Sequence, residues 1–222
     1  VVIVHFWNPA GNGKHQSLRP DPLPRIHALC EQLLSLRRLS LNQSVLHMAD
    51  RAAYRVNDDL RHSIDIKIVT DSQHHVLHLI DESFSDTYDN ITVSVDDPLY
   101  MGFAAQSVLA SRLSDHYDLY CYLEDDLIIH DPTFFQKILW FTSLMGPDCV
   151  LLPQRFELSP RPHWVDRFYI DGPLDTAQLR ELIPNPGPLR TVDWFGMSVP
   201  FASPSNPHAG CFFLTHDQLK YW

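Results

Sequence analysis

Apolar positions recur along this chain in two alternating rhythms. Val1 to Phe6 is a run of β-formers that breaks into a turn-forming stretch, Asn8 to Gly13, followed by prolines at 20, 22 and 24. Ile26, Leu29, Cys30, Leu33 and Leu34 then fall at i, i+3, i+4, i+7 and i+8, the apolar stripe of an amphipathic helix. The region 40–62 has no clear period, and a helix is expected around Val45 to Tyr54. Ile64 to Val69 and Ile91 to Val95 read as strands, and each runs into acids, Asp71 in one case and Asp96-Asp97 in the other. Leu99 to Leu113 mixes large apolar residues with Gly102, Ala104, Ala105 and Ala110, which suits a helix packed closely on a sheet. Asp118 to Leu123 is a short apolar strand. Asp131 and Pro132 mark the start of the next helix, with Phe134, Phe135, Ile138 and Leu139 as its inner face. Cys149 to Leu152 and Gly210 to Leu214 read as further strands, and Thr215-His-Asp-Gln218 as a capping box that opens a last helix.

Strands that alternate with helices of this length predict an α/β fold, a mainly parallel sheet with helices on both faces and ligands beyond the carboxyl ends of the strands. With 222 residues and 45% apolar content, one domain is expected over 1–222, its ligand-binding half at 1–155 and a distinct second part at 156–222. Nine of the 17 prolines fall between 160 and 207, among Trp164, Phe168, Tyr169, Trp194 and Phe195. A long ordered loop is expected there, forming the acceptor side of a site. The first residue is already a strand former and the final helix reads as cut short, so the chain is expected to be a piece of a longer protein. Its localisation follows its origin: the cytoplasm if prokaryotic, the secretory lumen if eukaryotic.

Charge narrows the partners. Seventeen Lys and Arg against 27 Asp and Glu give a formal charge of −10, with no basic run, which argues against nucleic acid. No apolar run approaches the roughly 20 residues of a membrane span. The four cysteines lie singly in apolar runs and read as small buried hydrophobes, and the 13 histidines show no HExxH spacing. The Asn-x-Ser/Thr sequences at Asn42 and Asn90 matter only in a secretory compartment.

The densest chemical signal is Glu124-Asp125-Asp126, three acids directly after an apolar strand. Like charges so close raise one another's pKa, and a bound cation offsets the repulsion. Mg²⁺ and Mn²⁺ take oxygen ligands and typically share one or two carboxylates with substrate phosphates. On an extended turn Glu124 and Asp126 point together and Asp125 elsewhere. The bland alternative is a solvated acidic turn.

The segment from Tyr120 through Glu124-Asp125-Asp126-Leu127 to Asp131 and Phe134-Phe135 resembles the metal-binding region of N-acetylglucosaminyltransferase I. Ile66 to Ser72 resembles that family's strand ending in a nucleotide-contacting Asp, and the helix at Tyr100-Met-Gly102 matches in placement. The likeness covers about 60 to 152. It implies a GT-A (Rossmann-like) fold and a metal-dependent hexosyl- or N-acetylhexosaminyl-transferase using a UDP- or GDP-sugar donor, Mn²⁺ or Mg²⁺, and a glycan acceptor. By the same likeness Asp126 holds the metal, Asp125 and Glu124 contact ribose and donor sugar, and Asp71 reads the base. The family's acidic base has no counterpart in Ser205 to Gly210. His208 is expected there as a metal ligand or general base, with Asp193 and Asp171 as alternative bases.

Two other readings remain. A sugar-nucleotide nucleotidyltransferase would use Gly11-Asn-Gly13-Lys14, whose spacing differs from that class's signature and from a P-loop. A non-catalytic carbohydrate-binding domain on the same fold would stack sugars on Trp164 and Trp194.

Overall fold

The computed structural model describes residues 1–161, 163–172, 174, 188–204, 206–207 and 210–222. They form two compact units, Val1–Leu151 with Gly210–Trp222, and Leu152–Ala209.

The first unit is built on a five-stranded sheet. Its strands are β1 (Val2–Val4), β4 (Lys67–Thr70), β5 (Asp89–Thr92), β6 (Leu119–Glu124) and β11 (Cys211–Thr215), in the order β11-β6-β1-β4-β5. The four strands β5, β4, β1 and β6 are parallel, and β11 runs antiparallel to β6. Successive side chains on a strand face opposite sides. Ile3, Ile68, Cys121, Leu123 and Phe213 therefore join one core with Leu29, Leu33, Leu36 and Leu39 of α1 (Leu23–Leu39) and Phe135 and Ile138 of α3 (Phe134–Met145). Val2, Val69, Tyr120, Tyr122 and Leu214 join the other, with Met101, Ala105 and Leu109 of α2 (Met101–Ser111) and Leu219 of α4 (His216–Tyr221). The expected mainly parallel sheet with helices on both faces is thus present. Among the described residues no helix is long and apolar enough to cross a membrane.

Several local expectations change. The segment expected to be helical around 45–54 is an antiparallel hairpin of β2 (Gln43–His47) and β3 (Ala52–Val56). Val45, Tyr54 and Val56 favour a strand, and the turn between is held by Asp50, which pairs with His47 at 2.8 Å and accepts from the Tyr54 hydroxyl at 3.0 Å. Cys149 to Leu152 forms no strand. The place beside β6 is taken by β11, and the Pro147 and Cys149 carbonyls instead accept from Gln218 Nε2, at 3.1 and 2.8 Å. β5 ends at Thr92, short of Val95, because its partner β4 ends at Thr70. On α1 the buried face takes in Arg25, Gln32, Leu36 and Leu39 and leaves Leu34 38% exposed. The capping box at Thr215 and Gln218 forms as read.

The second unit also departs from the loop expected over 160–207. Its described residues contain two antiparallel hairpins, β7 (Phe156–Leu158) with β8 (Arg167–Tyr169), and β9 (Pro188–Trp194) with β10 (Met197–Ala202). The Arg167 guanidinium lies 4.7 Å from the Phe156 ring centre. Val192, facing inward, is 8% exposed, while its neighbours Thr191 and Asp193 face solvent, the alternation of a one-sided hairpin.

Candidate functional site

The chain runs outward from β1 to β4 and β5, then returns to β6 on the other side of β1. The sheet therefore has its topological switch point between the carboxyl ends of β1 and β6, where open α/β sheets bind ligands. The acidic triplet stands there. Glu124 is the last residue of β6, and Asp125 and Asp126 occupy a tight turn closed by Leu127 N–H donating to the Glu124 carbonyl at 3.3 Å. This is a tighter conformation than the extended turn expected. Asp125 points into the protein and is 6% exposed, Glu124 is partly buried, and the Asp126 side chain is half exposed.

Two residues that the sequence reading passed over define the corner. Arg25, on the inner face of α1 and only 8% exposed in its side chain, donates through one terminal nitrogen to Asp125 Oδ1 and through the other to Asp126 Oδ2, the latter at 3.1 Å. His5, the residue after β1 and fully buried, pairs through Nδ1 with Asp125 Oδ2. Its other nitrogen, Nε2, accepts from the Val76 amide at 3.0 Å. A backbone amide only donates, so Nε2 carries no proton and the neutral ring donates from Nδ1 to Asp125. Gln32, also on α1 and buried, donates to the Glu124 carbonyl at 2.6 Å and to that of Leu127 at 3.0 Å. The crowding of anions is thus relieved by a guanidinium from the chain itself, and Asp125 serves as the anchor of the turn.

Asp71 lies at the same level. Val4 pairs with Val69 on one side and with Glu124 on the other, so Asp71 and Asp126 each stand two residues past the paired position. The strands that lead to them are two spacings, about 10 Å, apart. Asp71 accepts from the Gln73 amide at 2.8 Å, from the His74 amide, and from His74 Nδ1 at 2.7 Å. Burial pushes its carboxyl up, and these hydrogen bonds more than offset that and hold it below the ordinary range. Asp71, Gln73 and His74 line, with Thr92 to Val95, a cleft of about 340 Å³ at the carboxyl ends of β4 and β5. On the other face, a Cβ on Gly102 would stand 3.0 Å from the Tyr122 hydroxyl, so α2 packs closely beside β6. Burial, with Glu124 and Cys211 nearby, pushes that hydroxyl up to about 12.

The structure brings Asp71, Glu124, Asp125 and Asp126 to one edge of one sheet. Of the candidate bases, Asp171 and Asp193 belong to the second unit. Asp171 is gripped by Arg155, with Nε to Oδ2 at 2.8 Å and a terminal nitrogen to Oδ1 at 2.7 Å. Asp193 accepts from the Gly196 amide at 3.1 Å and closes the β9–β10 turn. His208 lies outside the described residues. Among the described residues no group of three or more His, Cys, Asp or Glu side chains is gathered as a metal site. Comparison of the chain with protein-family models, with curated proteins and with solved structures gives no match.

His5 makes the corner acid-sensitive. Burial, and after it the Arg25 charge, lower its pKa from 6.5 to about 3. Between those values the unfolded chain binds a proton that the folded one refuses, so stability rises with pH across the window and is lost as pH falls through it. The slope reaches about 1.4 kcal/mol per pH unit. Asp71 and Asp131, whose pKa values are lowered from 3.8, lose their contributions only at still lower pH. Urea titrations from pH 7 to 4.5 are expected to show falling stability, and His5→Gln is expected to flatten that fall, with His75, also lowered by burial, supplying the remainder. Equal slopes in both proteins would contradict the neutral-His5 assignment.

Proposed function

We propose that this chain is a metal-dependent glycosyltransferase of GT-A type, moving a sugar from a UDP- or GDP-sugar to an acceptor hydroxyl. The observation that carries this reading is the placement of Asp126 and Glu124 at the switch point, level with Asp71 across about two strand spacings of the sheet edge. That gap suits a nucleotide laid along the edge, with its base end at Asp71 and its diphosphate end at Asp126.

The residues at the corner fit a hard divalent cation. Asp126 offers a half-exposed carboxylate that already accepts a guanidinium, a stand-in positive charge at the same locus. One or two protein carboxylates, completed by water and phosphate oxygens, suffice for Mg²⁺ or Mn²⁺. Asp126 would hold the ion, with Glu124 beside it. Bound there, it would neutralise charge on the departing nucleoside diphosphate. Asp125, kept inward by His5 and Arg25, acts on the reaction by fixing the turn that presents its two neighbours.

A second reading is favoured by Arg25. Because its guanidinium already balances Asp125 and Asp126, the corner is electrostatically stable without a metal, as a non-catalytic nucleotide- or carbohydrate-binding domain would require. Calorimetry with UDP and with GDP, each with and without Mn²⁺, separates the two. The transferase is expected to bind one of them at least tenfold more tightly with Mn²⁺. Affinity that ignores the ion supports the binding domain.

A further inference from the structure

The loop after β4 holds one partly exposed histidine firmly and leaves one of its nitrogens unused. The His74 carbonyl accepts from the Trp7 amide at 2.8 Å, and two residues on the Val76 amide donates to His5, so the loop is fastened at two points to the chain that follows β1. The His74 ring lies beside that of Phe6, 5.4 Å between centres, and its Nδ1 pairs with Asp71 Oδ2 at 2.7 Å. The Asp71 carboxyl, held below the ordinary range, is ionised near neutral pH and only accepts, so the ring keeps a proton on Nδ1. In the neutral imidazole Nε2 is then a lone pair, and no described residue takes it. Asp71 is less available than His74. Its Oδ1 already accepts from the Gln73 and His74 amides, and its side chain is 19% exposed against 36% for His74.

His74 and Asp71 line the cleft of about 340 Å³ at the carboxyl ends of β4 and β5, a size usual for small-ligand sites. Across it stand the end of β5 and the residues that follow, where Thr92 and Ser94 are exposed and Val93 between them is partly buried. The described residues that line the cleft include an acid, hydroxyls and imidazole but no Lys or Arg. Such a lining suits an uncharged group with polar edges and disfavours a phosphate. We propose that His74 reads the nucleobase by accepting a ring N–H at Nε2, while Asp71 acts on the base only by holding His74 in the required tautomer. This rests on the nucleotide reading of the same sheet edge. Uracil and guanine carry a ring N–H on the edge they use for pairing, whereas cytosine and adenine present a lone pair there. The site therefore selects the first two, with the Thr92 and Ser94 hydroxyls, able to donate or accept, in the same cleft for the groups beside that N–H.

The test is calorimetry on the full chain with Mn²⁺ at about pH 8, which favours neutral imidazole, comparing UDP with CDP and GDP with ADP. Wild type is expected to bind the N–H-bearing member of one pair about tenfold more tightly, the scale of one hydrogen bond. His74→Phe keeps a ring beside Phe6 and removes Nε2, and is expected to bring the two members of that pair within about threefold of each other. Asp71→Asn is expected to turn the preference toward CDP or ADP. An amide N–H facing Nδ1 makes that atom the acceptor and moves the ring proton to Nε2, which then donates. Either variant decides the matter if the other does not fold. A wild-type preference that survives in both variants overturns the inference and leaves the nucleotide reading standing, as does equal binding of both members by wild type. No nucleotide binding by wild type overturns the two together.

Discussion

Replacing Arg25 with Met is expected to destabilise the fold by about 3–5 kcal/mol, read as a lower urea midpoint at unchanged slope. The magnitude is that of breaking a buried ion pair by removing one partner. Asp125 is buried, and without the guanidinium its charge keeps, among the described residues, the hydrogen bond from neutral His5. Asp126 contributes little to this loss because its half-exposed carboxylate is screened by water. The double variant Arg25→Met with Asp125→Leu is expected to recover only part of the stability: exchanging a buried ion pair for apolar groups is often neutral, but the buried His5 Nδ1–H loses its acceptor. A single-variant loss below about 1 kcal/mol would show that Arg25 does not balance Asp125 in solution.

Asp126→Ala is expected to act in the opposite sense, sparing stability and removing function. Its one described partner, Arg25, remains bonded to Asp125, so the melting temperature should shift little. Under the proposed function, sugar transfer in the presence of Mn²⁺ should fall by about two to three orders of magnitude, the scale on which losing one stabiliser of developing charge acts. Mn²⁺-linked nucleotide binding should weaken with it. Full turnover in Asp126→Ala would end the metal-dependent reading, whereas lost nucleotide affinity without any transfer in wild type would support the binding domain. The contrast between Arg25 and Asp126, adjacent in space, separates what holds the corner from what the corner presents.

How much of this was legible varies by residue. Glu124-Asp125-Asp126 after an apolar strand was plain in the sequence, and so was Asp71 at the end of another. What the three acids do to one another was not. Arg25 lies 100 residues from Asp125 and His5 lies 120 away, and nothing local in either segment announces the pairing. A trace existed: Arg25 sits on the apolar stripe with Leu29, Leu33 and Leu36, and His5 continues a strand of apolar residues. A polar group at a buried position needs a partner, and the acidic triplet was there to supply one. The hairpin at 43–56 went unread because its residues suit either helix or strand, and pairing with a second segment decided the outcome.

By itself the chain determined its alternation of strands and helices, the position of its acidic corner and the capping box at Thr215, because each depends on residues a few positions apart. Tertiary structure alone decided the antiparallel seat of β11 beside β6, the inward turn of Asp125 and the cation that balances it. These depend on which distant groups must be desolvated together, and a buried charge takes whichever partner the fold brings within reach.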